Sequence, residues 1–378
     1  MTTRDLDWAR ILDQEVREVV LGAPVLRPTT EQAVADCLLF GQQHGLKLRA
    51  VSGLRTPRPA RAQEARVDAW ISLEALRGLV DWHPHEGTVT ARAGTPLAEV
   101  EAIAESAGWR VLPQVPDPLH TTVGGMISAG ISGLERLRRG PLRHHVLGVR
   151  LALPNGSVVR SGSRLVKNVT GYDVHRAATG ARGELGVVVE ASLRLVPLPR
   201  AAFRLSWNSS SWTAVDAAAQ ALLSTSVEFD CVRSTRMPDG WTLVAWYSGR
   251  PETCAVMEQE ALRAVPQMQS SGVDTWDGGP LAAAWKDTRA SEAAVEGCLE
   301  LGCLRTECAT QVEQLLKSQA EVRLVDHGLA RIVLRDSLHP QKPMHPPSVA
   351  AGSVQAQLEL RLRRALDPHG VLARSPAS

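Results

Sequence analysis

The stretch Thr121 to Gly133, TTVGGMISAGISG, concentrates four glycines among small hydroxyl residues. Side chains this small let backbone amides approach a ligand closely, and successive free N–H groups form a concave nest for an anion. A diphosphate is the usual occupant of such a nest. The same composition also fits a tight structural loop, and local spacing leaves both readings open. The two common nucleotide fingerprints are excluded: there is no G-x-x-x-x-G-K-[ST], and no G-x-G-x-x-G joins a strand to a helix.

Three further segments carry compatible chemistry. Val51-Ser52-Gly53-Leu54-Arg55-Thr56 is a strand-to-turn junction that would present amides, and the Arg55 guanidinium, to phosphate. Lys167-Asn168-Val169-Thr170-Gly171-Tyr172-Asp173 sets a flexible glycine beside a polar and aromatic cluster. Gly180 to Val189, GARGELGVVV, is a glycine-rich turn feeding a buried strand. Glu184 inside that turn would repel a diphosphate unless it points away or pairs with Arg182.

Other chemistry-bearing residues give weaker signals. Cys298, Cys303 and Cys308 recur every five residues, whereas zinc and iron–sulfur sites favour short C-x-x-C pairs that aim two thiolates at one metal. Buried, reduced thiols are the expectation for all six cysteines, with no metal site. His83 and His85 lie in a turn and read as solvated. His144 and His145 follow the glycine-rich stretch, where a structural role is favoured over one facing a ligand. His339 and His345 fall in the proline-rich loop Leu338 to Pro347 and read as exposed.

Regular elements must position these segments. Thr29-Thr30-Glu31 opens a helix with capping residues, and Ala33, Val34, Leu38 and Leu39 supply its apolar positions. Strands follow at Leu46 to Val51 and Ala69 to Leu73, with a turn-rich segment between them. Thr88 to Ala93 alternates as a half-buried strand does. Thr95-Pro96 starts a helix that buries Leu97, Val100, Ile103 and Ala104. Leu112 to Gly140 reads as one long irregular stretch, ordered and functional. Pro154-Asn155-Gly156 joins the strands Val146 to Leu153 and Ser157 to Ser161 into a hairpin. Leu185 to Val196 is the next strand, and a domain boundary falls near Arg200. Beyond it come strands at Arg204 to Trp207, Trp241 to Tyr247 and Ala330 to Leu334. Helices are expected over Trp212 to Leu223, Thr253 to Ala264, Cys308 to Ser318 and Ser353 to Leu366.

Composition bounds the function. A chain of 378 residues points to two domains. With 42 basic and 40 acidic residues it lacks the basic excess expected of a nucleic-acid partner. No apolar run reaches the roughly 18 residues that a membrane span needs. The opening MTTRDLDWARILDQEVREVV has no uninterrupted apolar stretch of a signal peptide, so the cytoplasm is the expected compartment.

PDPLHTTVGGMISAG, VLGVRLALPNG, KNVTGYD and GARGELGVVVEASLRL resemble, in order and spacing, the FAD-binding domain of the vanillyl-alcohol oxidase and p-cresol methylhydroxylase (PCMH) superfamily. Within it the resemblance is greatest to FAD-binding accessory subunits of bacterial glycolate oxidases. It covers roughly residues 20 to 200 and continues more faintly through WDGGPLAAAW, DHGLARIVL and LDPHGVL. It implies an α+β protein: a two-subdomain PCMH-type FAD-binding domain over residues 1–200, then an α+β cap over 201–378. Gly53, Leu54, Arg55 and Thr56 would form the first phosphate loop. Pro116, Thr122, Gly124, Gly125, Ser128 and Gly130 would line the diphosphate and flavin. Gly186 and Val187 would offer backbone atoms, and Asn168, Gly171 and Tyr172 would shape the flavin's surroundings. Two departures weaken the expected hold on FAD: the first loop keeps one glycine, and the family's G-S-x-G-T-L-G appears as Gly180 to Gly186 with Ala181 and Glu184 in place of the hydroxyls. No histidine follows the first loop as it does in members that attach flavin covalently, so FAD should be held non-covalently.

The resemblance also implies a role. Oxidising a 2-hydroxy acid needs a base near the hydroxyl and a cation for the carboxylate. The histidine-rich H-G-D-G-N-x-H type of motif in related catalytic dehydrogenases is missing, and Asp326-His327-Gly328 is the nearest approach. The chain therefore reads as the accessory flavoprotein of a glycolate-oxidising complex. Its implied partners are a catalytic FAD subunit and an iron–sulfur subunit, which would hold it at the inner membrane. Two alternatives stand beside this: a self-sufficient FAD-linked 2-hydroxy acid dehydrogenase using His327 as base, and a degenerate scaffold without FAD.

Overall fold

The computed structural model describes residues 19–20, 23–51, 67–115, 117–131, 133–164, 172–275, 298–302, 307–318, 322–327, 329, 331–335 and 354–372. They form two compact units. The first takes residues 1–132, 141–198 and 349–378, and the second takes 133–140 and 199–348. The sequence-based boundary near 200 assigned everything after it to the second domain. The C-terminal stretch instead returns to the first unit, and 133–140 leaves it.

In the first unit, β1 (Val19–Val20), β2 (Ala23–Leu26), β3 (Leu48–Val51) and β4 (Ala69–Ser72) make one sheet in the order β1-β2-β4-β3. β2 and β3 both run parallel to β4. The connection from β2 to β3 is α1 (Glu31–His44), and the Thr30 side chain caps it by accepting from the Ala33 amide at 3.1 Å. Its buried residues Val34, Cys37, Leu38 and Gly41 recur at helical spacing.

A second sheet is wholly antiparallel. It joins β5 (Leu79–His83) and β6 (Thr88–Arg92) to β8 (Val146–Ala152), β9 (Val158–Gly162) and β10 (Val187–Arg194), in the order β5-β6-β10-β8-β9. The short β7 (Trp109–Arg110) pairs with β11 (Val196–Pro197). The Asn155-Gly156 hairpin forms as read, with Leu151 opposite Val159 and the Asn155 Oδ1 accepting from the Ser157 amide at 3.1 Å. Leu26, Leu48 and Ile71 from the first sheet share one buried core with Val89, Val149 and Val189 from the second. α2 (Leu97–Ser106) adds Leu97, Val100 and Ala104 to it.

The stretch read as irregular from Leu112 to Gly140 contains two helices, α3 (Val123–Ala129) and α4 (Arg136–Arg139). α3 lies over β6 and β10 in the first unit. α5 (Val174–Ala178) follows β9.

The second unit is built on an eight-stranded antiparallel sheet among the described residues. Its strands are β12 (Ala201–Ser209), β13 (Cys231–Met237), β14 (Gly240–Gly249), β15 (Gln269–Ser270), β16 (Asp274–Thr275), β17 (Cys298–Gly302), β18 (Val322–Asp326) and β19 (Arg331–Arg335). The order is β15-β12-β14-β13-β18-β19-β17, with β16 also against β12. α6 (Trp212–Leu223), α7 (Pro251–Ala264) and α8 (Cys308–Lys317) cover this sheet, α6 touching both others. The three strands expected here from sequence become eight.

The first unit closes with α9 (Val354–Leu366). Past it, Asp367 accepts from the Val371 and Leu372 amides at 2.8 and 2.9 Å. The shaped terminus then bridges the open edge of β3, where the Leu48 amide donates to the Val371 carbonyl at 2.8 Å. That is the structural work of the LDPHGVL segment.

Candidate cofactor site

Thr122 starts α3 from an extended conformation, and its Oγ1 accepts from the Gly125 amide at 3.1 Å. Val123, Met126 and Ile127 then fall on one buried face, which stabilises a helix despite its two glycines. The neighbouring amides are also engaged: Val123 donates to the Thr95 carbonyl at 2.9 Å, Gly124 to Ala93 at 2.8 Å and Met126 to Thr122 at 2.8 Å. The expected nest of free N–H groups at this stretch is therefore corrected, because those donors are spent inside the protein.

Gly124 has a different reason. A Cβ there would lie 2.7 Å from the Ala93 Cβ, so only glycine lets α3 approach the end of β6. What α3 leaves accessible is its opposite face, where Gly125 and Ser128 are half-buried and Ala129 is exposed. That face carries no bulky side chain.

The second glycine-rich turn closes on the C-terminal end of α3. Gly180 donates to the Ile127 carbonyl at 2.9 Å, and Arg182 donates to Ser128 at 2.7 Å. Gly130 caps α3 in the left-handed region (φ 63°), with the Gly180 Cα only 2.8 Å from where its Cβ would stand. Gly186 (φ 145°) then delivers the chain into β10 at Val187. Thr122, Gly124, Gly125, Ser128, Gly130, Gly186 and Val187 thus belong to one α3–turn–β10 assembly. Tyr172 stands apart with 93% of its surface exposed, while its carbonyl accepts from the Ser161 hydroxyl at 3.2 Å. Gly53, Leu54, Arg55, Thr56, Pro116, Asn168 and Gly171 lie outside the described residues.

Residues 23–162 match the family model described as an FAD binding domain. Two curated relatives match in parts. The glycolate oxidase subunit GlcE of Escherichia coli (strain K12) is 41% identical over 137 residues, 36% of this chain and 39% of that protein. The glycolate oxidase subunit GlcD of Bacillus subtilis (strain 168) is 35% identical over 133 residues, 35% of this chain and 28% of that one. The chain thus spans well under half the length of these relatives. Among solved structures, an alkyldihydroxyacetonephosphate synthase shares the fold with a TM-score of 0.68, covering 98% of this chain and 79% of its own at 12% identity.

Several other side chains that the sequence singled out have defined surroundings. The carboxylate of Glu184, 5% exposed, meets Arg363 of α9 at 2.9 Å. Arg49 on β3 lies in range of Glu184 and Arg182: burial pulls its guanidinium below the usual arginine value, Glu184 opposes this, and Arg182 adds to it. His83 is only half-solvated, held between Asp81 at 2.8 Å and Arg164 at 2.7 Å. His145 is buried.

In the second unit, His327 is closed off from any substrate. It is 1% exposed, its Nε2 lies 2.7 Å from the Ser234 hydroxyl and its Nδ1 3.4 Å from Asp216, and its ring stacks on Trp212 at 5.5 Å. A general base must reach the proton it removes. The reading of His327 as catalytic base is therefore corrected to a packed hydrogen-bonding role. Among the described residues, Cys37, Cys231, Cys254 and Cys308 are buried and in no disulfide. No described helix is long and apolar enough to cross a membrane.

Proposed function

We propose that this chain is the FAD-binding accessory subunit of a glycolate-oxidising complex, holding FAD non-covalently and relaying electrons from a small 2-hydroxy acid. The observation that carries this reading is the 41% identity to a glycolate oxidase subunit over 137 residues. The α3–turn assembly supports it with an accessible face of small residues at Gly125, Ser128 and Ala129.

FAD, when bound, supplies the redox chemistry, while the protein supplies binding and orientation. The chain's part is to hold the cofactor against α3 through Thr122, Gly125, Ser128 and Gly130, and against the start of β10 through Gly186 and Val187. Gly124 lets α3 seat closely enough to keep that face open. Pro116, Gly53 to Thr56, Asn168, Gly171 and Tyr172 complete the proposed lining. The burial of His327 favours the accessory role, since it removes the base that a self-sufficient dehydrogenase would use here. The proposed partners are a catalytic FAD subunit and an iron–sulfur subunit.

The visible spectrum of the purified chain, before and after acid precipitation, tests the cofactor. Flavin bands that move wholly into the supernatant are expected. Co-expression with the two partner subunits should then yield glycolate-dependent dye reduction that the chain alone lacks. A colourless chain that ignores added FAD, or a lone chain with full glycolate activity, would overturn the reading.

A further inference from the structure

The turn after α5 is built from costly conformations. Gly180, Arg182, Gly183 and Gly186 all have positive φ, at 88°, 54°, 80° and 145°. Arg182 carries a side chain in the left-handed region, which L-residues rarely adopt. Glycines also surrender the most backbone freedom on ordering. A segment of this kind keeps one shape only if its surroundings hold it.

Two sets of contacts do so. On one side, the Gly180 and Arg182 amides donate to the last carbonyls of α3, at Ile127 and Ser128. On the other, Glu184 meets Arg363 of α9 at 2.9 Å. Both ends of this pair are shielded, with the Glu184 side chain 4% and that of Arg363 28% exposed. A carboxylate so buried is costly without a cation, which Arg363 in contact and Arg49 in electrostatic range supply. The pair therefore determines where the middle of the turn sits, and the turn in turn abuts the C-terminal half of α3. The position occupied by a hydroxyl in the resembled family holds a carboxylate here, and α9 supplies its partner.

We propose that Glu184 and Arg363 are positioning residues for the cofactor turn, through which α9 sets how tightly FAD is held; the inference rests on the FAD reading above. The full-length chain carrying Glu184→Gln, Arg363→Met or both, stripped of flavin, is titrated with FAD and followed by quenching of flavin fluorescence. Its visible bands and apoprotein melting temperature are recorded alongside. Each single change is expected to weaken FAD binding about tenfold and alter the fine structure of the flavin bands, and the double variant should bind no worse than the weaker single one. Arg363→Lys should recover part of the loss. Removing the surface pair Arg27–Glu74, also 2.9 Å apart but 42% exposed at both ends, should change nothing. Single variants that bind FAD within about twofold of the wild type, even with lowered melting temperatures, would overturn the proposal alone. A wild-type chain that takes up no FAD would overturn the FAD reading along with it.

Discussion

Two helix-ending glycines offer a controlled comparison. Gly45 closes α1 at φ 65° and Gly130 closes α3 at φ 63°, so alanine meets the same left-handed backbone at each. That conformation costs an L-residue about 1–2 kcal/mol, offset by roughly 0.4–1 kcal/mol from a less flexible unfolded chain. The two sites differ in space. A Cβ on Gly45 meets nothing within 4 Å, whereas one on Gly130 lies 2.8 Å from the Gly180 Cα and 3.3 Å from its nitrogen. Both obstructing atoms are backbone, so the gap must open by roughly 0.7–1.2 Å to restore ordinary contact. Overpacking of this kind adds about 1–3 kcal/mol. In a unit of this size each kcal/mol lowers the melting temperature by about 2–4 °C. Gly130→Ala should therefore melt about 2–12 °C below Gly45→Ala, read by circular dichroism. The opening also strains the Gly180 and Arg182 hydrogen bonds to α3, so Gly130→Ala should lose flavin while Gly45→Ala retains it. Equal melting temperatures and equal flavin contents in the two variants would refute the close approach of α3 and the turn.

Three further outcomes are expected. Asp230 is 1% exposed and meets Arg138 at 3.4 Å and the Ser248 hydroxyl at 2.6 Å, with the Arg138 guanidinium also 4.5 Å over the Tyr247 ring. Arg138→Met should cost about 3–5 kcal/mol in urea denaturation, and adding Asp230→Asn should recover part of it; a loss below about 1 kcal/mol would count against the buried pair. Burial, opposed by Asp173 and reinforced by Arg176, holds the His175 imidazole below its ordinary value of 6.5. Stability should therefore be full above that value and decline as pH falls through it, because the unfolded chain takes up the proton first; His175→Gln should flatten this slope. Burial foremost pushes the Cys37 thiol up to about 12 and the Cys254 thiol up to about 11, and Asp36 and Asp230 respectively add to it. Peptide mapping after alkylation at neutral pH should find both unmodified until the chain is denatured.

Local signals were legible where a few neighbouring residues decide the structure. Thr30 caps α1 as read, and Asn155-Gly156 turns the β8–β9 hairpin. The glycine-rich stretch was legible as a site segment but not as a helix. Glycine is a poor helix former, and α3 depends on the Thr122 cap and on Val123, Met126 and Ile127 finding a buried surface supplied by β6 and β10. Strand β13, CVRSTRM, is too polar to announce itself, and it forms because Val232 and Ser234 pair with Ala245 and Leu243 on β14. The Arg363 partner of Glu184 was not legible, because nothing local points to a residue so distant in the chain. His327 looked available for the same reason, since only the assembled sheet and α6 enclose it.

Lys47 reaches the Gly370 carbonyl, 323 residues further along the chain. On a ribosome adding roughly 5–20 residues per second, the β3 edge thus waits about a quarter of a minute to a minute for its cover. Throughout that interval the Leu48 amide lacks its acceptor and is open to pairing with a neighbouring nascent chain. A stop codon before residue 349 would leave the Leu48 amide without that acceptor for good.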